Sequence, residues 1–216
     1  MTTRIGIVSD VHSAIKPLKA AFDIFKAEKV DMIICAGDIA GYGEDNLIQT
    51  IELLKQNECL LVSGNHDETT SPELTDMYDA ELLEFLAALP VAQSLEFENR
   101  SLYLVHASPP ENQHGGIKLL DKEGVLLQEQ KQYWEKELKD FNYDVLIVGH
   151  THQVFSEWIG DTLVINPGSS LFNHSCMILT LPDMKVETYA LENLEILPSW
   201  NWGIFFQDRQ AAIKKG

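Results

Sequence analysis

Five short apolar runs, each ending in a group of polar residues, constrain the fold of this chain more than any other feature of its sequence. The runs are Ile5–Ser9, Met32–Ala36, Leu60–Ser63, Leu102–His106 and Val145–Gly149. The first three are separated by segments with apolar residues three and four positions apart, the spacing of an amphipathic helix. Strands that alternate with helices favour right-handed crossovers and mostly parallel pairing. The sequence therefore predicts an α/β fold.

The helical segments and later strands complete this prediction. Apolar spacing predicts helices around residues 17–25 and 47–54, a longer one at about 72–89 that ends at Pro90, and one at about 124–140. After residue 150 the pattern changes to short strand candidates broken by turn residues, which predicts a meander packed onto a second sheet. These candidates are Phe155–Ile159, Leu163–Ile165, Met177–Leu181 and Lys185–Tyr189. With no repeat or linker in the sequence, we expect one domain over residues 1–216.

Charge and hydropathy exclude several classes of function. The formal net charge of −17 argues against general binding to a nucleic-acid backbone, which needs a basic surface. A phosphate substrate stays possible, because bound metal ions can reverse the local potential. No apolar stretch reaches the ~18 residues of a membrane span, and Asp10 ends the N-terminal apolar run too early for a signal peptide. Three cysteines, two of them inside apolar runs, favour reduced thiols and a cytoplasmic location.

The polar residues that follow the five apolar runs carry the functional information. They occur in the sequences SDVH, AGDIAGYG, SGNHDE, VHASP and VGHTH, which contain five of the seven histidines. Each motif alone is weak evidence, although GNHD has more such residues in a row than a turn requires. In an open α/β sheet, however, ligands bind at the carboxyl ends of strands, where the loops converge. The five motifs are therefore expected to form one site.

The donor atoms of these motifs indicate a metal centre. Aspartate, asparagine and histidine suit borderline divalent ions, and the absence of thiolates argues against a structural zinc site. One tetrahedral metal cannot use seven donors, whereas two metals can, and a pair ~3.5–4 Å apart can clamp the attacking and leaving oxygens of a displacement at phosphorus. The seven predicted ligands are Asp10, His12, Asp38, Asn65, His106, His150 and His152.

The five motifs together resemble the calcineurin-like metallophosphoesterases, whose pattern is D-x-H, G-D-x-x-x-x-G, G-N-H-D/E, a lone His and G-H-x-H. The resemblance implies a four-layer αββα sandwich of two mixed sheets, with the site at the carboxyl ends of strands. It also implies two metal ions bridged by Asp38 and by a water or hydroxide that attacks phosphorus. The remaining ligands divide into Asp10, His12 and His152 for one metal, and Asn65, His106 and His150 for the other. By the same resemblance, His66 contacts the substrate phosphate and protonates the leaving oxygen, while Asp67 orients His66.

Departures from the family pattern narrow the function. No arginine occurs near any motif, which disfavours the phosphoprotein phosphatases, because an arginine fork is the usual phosphate clamp. The short chain and GDIAGYG resemble the compact bacterial-type phosphodiesterases. NPGS at 166–169 is followed by SLFNH rather than the Val-Gly and Pro-Arg of that branch. The resemblance implies hydrolysis of small phosphodiesters or phosphomonoesters with two divalent ions. For the metal we expect manganese, and the nitrogen and oxygen donors would also accept iron, zinc, cobalt or nickel.

Two other functions stay open at this point: a dinucleoside-polyphosphate or nucleotide pyrophosphohydrolase, and a non-catalytic scaffold for protein binding. All seven predicted ligands are present, which weighs against the scaffold.

Three other residues have no motif that assigns them to the site. We expect His114 to lie in a surface turn, the sequence does not decide whether His174 lies near the site, and Tyr42 is interpreted as loop packing or as a platform for a ring. The aromatic segment at about 197–216 is expected to pack on the domain or to form a homodimer interface.

Overall fold

The structure, a computed structural model, describes residues 2–41, 46–68 and 80–200. These residues form two mixed five-stranded sheets that pack face to face, with helices on their outer faces. The predicted four-layer α/β architecture is therefore confirmed. The helices in this part of the chain are α1 (Ile15–Ala27), α2 (Leu47–Gln56), α3 (Ala80–Ala87) and α4 (Gln128–Glu137).

The first sheet has the strand order β10-β9-β1-β2-β3, and the second has the order β4-β5-β6-β8-β7. Strands β1, β2 and β3 pair in parallel, as do β5, β6 and β8, while the flanking strands are antiparallel. The strands are β1 (Thr3–Val8), β2 (Met32–Cys35), β3 (Leu60–Leu61), β4 (Ala92–Phe97), β5 (Arg100–Val105), β6 (Val145–Ile147), β7 (Val154–Ile159), β8 (Thr162–Pro167), β9 (Ser175–Leu181) and β10 (Lys185–Ala190).

Three details of the sequence prediction differ from the structure. The four strands after residue 150 do not form one meander, because β7 and β8 join the second sheet while β9 and β10 return to the first. Strand β4 was not predicted, since its sequence, AQSLEF, has only two large apolar residues. It forms because Arg100–Val105 offers a partner edge across a tight turn. The helix predicted at 124–140 is also shorter, since its first residues instead form a turn capped by Asp121.

Alternation of side chains along the strands divides the core into three layers. Ile5 and Ile7 of β1 point between the sheets and meet Leu104 and Ile147 of the second sheet. The intervening residues point outward, so Val8 packs against the helical layer of α1 and α2. This period of two is the direct consequence of strand geometry. Both sheets are thus buried on both faces, and only their edges and strand ends are available for a site.

Some predictions fall outside the described residues. These include Tyr42 and Gly43, the first part of the helix predicted at about 72–89, and most of the C-terminal aromatic segment, including Trp202, Phe205 and Phe206. Within the described part of the chain, the helices are too short to cross a membrane.

Candidate metal centre

The predicted site residues all lie in loops at the carboxyl ends of parallel strands. Strands β1, β2 and β3 of one sheet and β5 and β6 of the other deliver these loops to one edge of the sandwich. There, one ligand atom each from Asp10, His12 and His152 lies within 4.8 Å of the others. Asp38, His106 and His150 form a second group by the same criterion. The structure therefore brings six of the seven predicted ligands into two clusters.

Asn65 joins the second cluster. Its Oδ1 lies 2.8 Å from Nδ1 of His150 and 3.2 Å from Nε2 of His106. The two clusters also touch, because the backbone N–H of His150 donates to both carboxylate oxygens of Asp10, at 3.1 and 3.0 Å. All seven predicted ligands consequently share one site.

The nitrogen atoms that face each other inside the site suit a cation. Nε2 of His12 lies 3.3 Å from Nε2 of His152, which in turn lies 3.2 Å from Oδ1 of Asp10. The outer nitrogens of two imidazoles are already used: Nδ1 of His12 lies 3.1 Å from the Ala40 carbonyl oxygen, and Nδ1 of His106 lies 2.7 Å from that of Ala36. A proton on each outer nitrogen leaves Nε2 with a lone pair directed into the site, the usual arrangement of metal-binding histidines. The donor set therefore fits divalent metal ions.

Burial sets the protonation of these groups. It lowers the pKa of His12 to about 4 and that of His150 to about 4, so both imidazoles are neutral at pH 7, the form that binds metal. Burial would also lower the pKa of His106, but the charge and hydrogen bond of Asp38 raise it to about 10. The proton held between His106 Nε2 and Asp38 Oδ2, which are 3.3 Å apart, occupies the place of a cation. Metal binding here would release it.

Backbone conformation at the site is unusual. Five predicted ligands have left-handed φ angles: Asp10 (49°), His12 (48°), Asp38 (52°), His150 (64°) and His152 (48°). Non-glycine residues rarely adopt this region, and such residues cluster at functional sites. Hydrogen bonds between loops hold part of this conformation, since Asp10 N–H donates to the Gly37 carbonyl and His12 N–H to that of Asp38, both at 3.0 Å. The loops after β1 and β2 thus continue to pair beyond the strands.

His66 and Asp67 lie in a 3₁₀ turn beside the clusters. The backbone N–H of His66 donates to Asp38 Oδ1 at 2.9 Å, and its ring packs edge-on to His12 with centroids 5.1 Å apart. The buried Asp67 carboxylate accepts from the backbone N–H groups of Ala40 (2.8 Å) and Gly64 (2.9 Å). Asp67 therefore ties the turn that carries His66 to the loop after β2. That it orients the His66 ring stays a prediction.

Several supporting residues were not predicted from the sequence as part of the site. The Ser169 hydroxyl donates to the Asp10 carbonyl at 2.6 Å, Asn166 Nδ2 donates to the Gly149 carbonyl at 2.9 Å, and Asn173 Nδ2 donates to the His152 carbonyl at 2.9 Å. All three are fully buried. Their signal in the sequence was the group of polar residues between Asn166 and Asn173, which begins at the end of the apolar β8, because buried polar groups need partners.

Aromatic rings cover one side of the first cluster. The Phe172 ring has its centroid 5.5 Å from that of His12 and 5.3 Å from that of His152. Trp200 stacks on Phe172, with centroids 4.1 Å apart and planes inclined by 16°. Phe172 occupies the segment in which the sequence departs from the phosphodiesterase pattern. This departure therefore changes the wall of the site.

The other two histidines lie apart from the clusters. His114 has a 70% exposed side chain, and its Nε2 lies 3.3 Å from a carboxylate oxygen of Glu68, which agrees with a surface turn. His174 Nδ1 lies 3.1 Å from the Glu195 carbonyl oxygen. Neither belongs to the two ligand groups found among the described residues.

Comparison with known proteins agrees with this geometry. The calcineurin-like phosphoesterase superfamily domain matches residues 3–183. The chain is 26% identical over 167 residues to phosphodiesterase MJ0936 of Methanocaldococcus jannaschii, covering 76% of this chain and 82% of that protein. It is 28% identical over 191 residues to a probable metallophosphoesterase of Methanothermobacter thermautotrophicus, covering 85% and 88%. The fold resembles the crystal structure of a metallophosphoesterase from Sphaerobacter thermophilus, with a TM-score of 0.67, 22% identity and coverage of 100% and 94%.

Proposed function

Because this chain belongs to the calcineurin-like phosphoesterase superfamily and is a hydrolase of that family, we propose that it is a two-metal phosphodiesterase acting on small esters. The observation that carries this proposal is the pair of adjoining ligand clusters, which together offer seven oxygen and nitrogen donors. A single metal ion would leave part of this buried, charged set without a partner, which is costly. Two ions would satisfy it.

The proposed ligands divide by cluster. Asp10, His12 and His152 would hold one ion, and Asn65, His106 and His150 the other, with Asp38 shared between them. When bound, two divalent ions activate water for attack at phosphorus and stabilise negative charge on the phosphoryl oxygens. We propose manganese as the physiological metal, with iron, zinc, cobalt and nickel as alternatives for the same donors.

The remaining chemistry falls to His66, the histidine of the motifs that is not a proposed ligand. It lines the cavity that opens over the clusters, beside Asp38 and Asn65. A half-buried imidazole at this position can bind a phosphate oxygen and give its proton to the leaving oxygen of the ester. The Asp67 carboxylate holds the turn that carries His66, so it acts on His66 through the backbone. We therefore assign proton donation to His66 and positioning to Asp67.

The test is manganese-dependent hydrolysis of bis-p-nitrophenyl phosphate beside p-nitrophenyl phosphate. Wild-type protein should hydrolyse the diester faster, and Asp38→Asn should lose most activity together with one bound metal, counted by elemental analysis. His66→Ala should lower kcat by roughly 10²-fold or more, the usual contribution of a positioned acid. His114→Ala replaces an exposed histidine outside both clusters and is the matched control.

Leaving-group dependence separates acid catalysis from a general loss of structure. p-Nitrophenolate leaves easily without a proton, whereas phenolate needs one. His66→Ala should therefore cost more on diphenyl phosphate than on bis-p-nitrophenyl phosphate. Equal losses on both diesters would refute the assignment of His66 as the acid. Binding of two metals with no hydrolysis of any ester would refute phosphodiesterase function, and failure to bind metal would favour a scaffold.

A further inference from the structure

The cavity over the clusters has a wall that the proposed chemistry does not use. It has a volume of about 550 Å³, and Lys118 and Trp200 line it together with residues of both clusters. This volume lies within the ~300–1,000 Å³ of pockets that hold drug-sized ligands. A phosphoryl group at the metal centre would fill only a small part of it. The rest is available for the organic groups of the ester.

Lys118 is held beside the metal centre from both sides. The carbonyl oxygen of the preceding residue, Ile117, accepts from the Thr151 hydroxyl at 3.1 Å. The backbone N–H of the following residue, Leu119, donates to Gln153 Oε1 at 2.8 Å. Thr151 and Gln153 flank the predicted ligand His152. The segment that carries Lys118 is thus fixed to the loop that delivers a metal ligand.

Lys118 is available to bind an anion, because it is exposed and forms no ion pair within the described part of the chain. Acidic residues outnumber lysine and arginine by 33 to 16 in this chain, so few positive charges are available to an anionic ligand. Its neighbour Lys122 lies 3.3 Å from Glu123, and the Asp121 carboxylate that also lines the cavity accepts from backbone N–H groups of its own turn. Lys118 is exposed and has no ion-pair partner among residues 2–41, 46–68 and 80–200.

Trp200 is fixed in the same way as Lys118. Its backbone N–H donates to the His152 carbonyl at 3.0 Å, and the adjacent residue Ser199 forms a bridge with Gln153. Its ring stacks on Phe172 and lines the cavity. Indole rings are good platforms on which a nucleic-acid base can stack. The wall thus combines an aromatic surface with an exposed lysine.

We propose that this wall selects nucleotide esters that carry a second phosphate, with the base against Trp200 and the second phosphate at Lys118. The inference rests on the proposed phosphodiesterase function and names its substrate class. A ligand with an aromatic ring but no extra negative charge would make no contact that requires Lys118. An anion without a ring would make none that requires Trp200. A nucleotide with an additional phosphate supplies both groups on one compact molecule.

Two chromogenic substrates that differ only by one phosphate test the inference. They are thymidine 5′-(p-nitrophenyl phosphate) and its 3′-phosphorylated form, and both release p-nitrophenol. Wild-type protein should favour the 3′-phosphorylated ester in kcat/KM by roughly tenfold, the value of one charged contact that is partly exposed to water. Lys118→Ala should remove this preference. The preference should also shrink in high salt, because exposed charges are screened.

Control variants and a binding measurement complete the design. Lys139→Ala removes another exposed lysine, next to the start of β6 and so at the opposite end of the sheet from the site, and should keep the full preference. Trp200→Leu should lower kcat/KM for both thymidine esters relative to methyl p-nitrophenyl phosphate. Calorimetry with thymidine 3′,5′-bisphosphate should show weaker binding to Lys118→Ala than to Lys139→Ala.

The outcomes separate the inference from the function on which it rests. Metal-dependent hydrolysis of bis-p-nitrophenyl phosphate without any preference between the two thymidine esters would overturn the inference and leave the phosphodiesterase intact. A preference that survives in Lys118→Ala would also overturn it. Absence of hydrolysis of every diester would overturn the proposed function itself.

Discussion

Replacement of Gly149 by alanine tests how the metal centre is built, because this residue packs directly against a predicted ligand. An added β-carbon would overlap the Ser9 hydroxyl and lie 2.6 Å from Asp10 Oδ2. Ser9 and Asp10 are fully buried, so neither can move freely. Overpacking of this kind costs about 1–3 kcal/mol. At about 2 kcal/mol, the Tm of a chain of this length should fall by roughly 4–8 °C.

The same substitution should weaken metal binding, because Asp10 must move to admit the methyl group. A displaced ligand or supporting group typically raises the metal Kd by about 10–100-fold. At a metal concentration of 100 times the wild-type Kd, binding stabilises the wild type by ~2.7 kcal/mol and the variant by only ~0.4–1.4 kcal/mol. Differential scanning calorimetry with and without manganese measures both effects. The variant should have a lower Tm and a smaller rise on metal addition.

Two controls identify the cause. In Gly160→Ala the new β-carbon has no neighbour within 4 Å, but its φ of +59° makes alanine costly. This variant should have a lower Tm than the wild type, and its Tm should rise with manganese as much as that of the wild type. Ser9→Ala in the Gly149→Ala background removes the overlap with the hydroxyl but not the contact with Asp10, and it also removes the hydrogen bond from Ser9 Oγ to Asp10 Oδ2 at 2.6 Å, so the rise in Tm with manganese should stay small. A full rise with manganese in Gly149→Ala would refute the reasoning.

Two further predictions concern the buried amides that support the site. Asn173→Ala removes donors to the carbonyls of His152 and Leu197 and the acceptor for Ser169 N–H, so the free energy of unfolding in urea should fall by about 2–4 kcal/mol. Asn173→Asp keeps the acceptor for Ser169 N–H but sets a buried carboxylate oxygen against the carbonyl oxygens of His152 and Leu197, so it should lose at least as much; a smaller loss would contradict this. Gln153→Ala removes three hydrogen bonds to the segment that carries Lys118, which should cost about 1–3 kcal/mol. If that segment depends on Gln153, its amide hydrogens should exchange faster in the variant, and unchanged exchange would contradict the assignment.

The sequence predicted the order of strands and helices better than the pairing of the strands. Apolar runs mark strands because burial is a local property of composition, as Val145–Ile147 illustrates with three buried residues in succession. Pairing is decided by long-range contacts that composition does not encode. Strand β9, for example, lies between β1 and β10 although about 170 residues of chain separate it from β1. For the same reason the meander predicted after residue 150 was wrong.

The grouping of the predicted ligands in space was easier to predict than the pairing of the strands, because these residues are chemically distinctive. A histidine or aspartate after a buried strand stands out, and the convergence of strand ends brings such residues together without knowledge of the pairing. Supporting residues are harder to predict, since Ser169 or Asn173 could equally belong to a turn. Phe172 and Trp200 gave no sequence signal for a place in the site wall, because aromatic residues usually pack in cores.

The left-handed backbone of five predicted ligands shows how contacts between loops stabilise this site. Each non-glycine residue in this region costs about 1–2 kcal/mol, so five such ligands would favour other conformations in an isolated loop. The folded protein offsets this cost through bonds that only the correct pairing of loops provides, such as Asp10 N–H to the Gly37 carbonyl and Ser169 Oγ to the Asp10 carbonyl. Aspartate and histidine are also among the residues that tolerate this conformation best. The residues with the right donor atoms are therefore those that these tight turns accept.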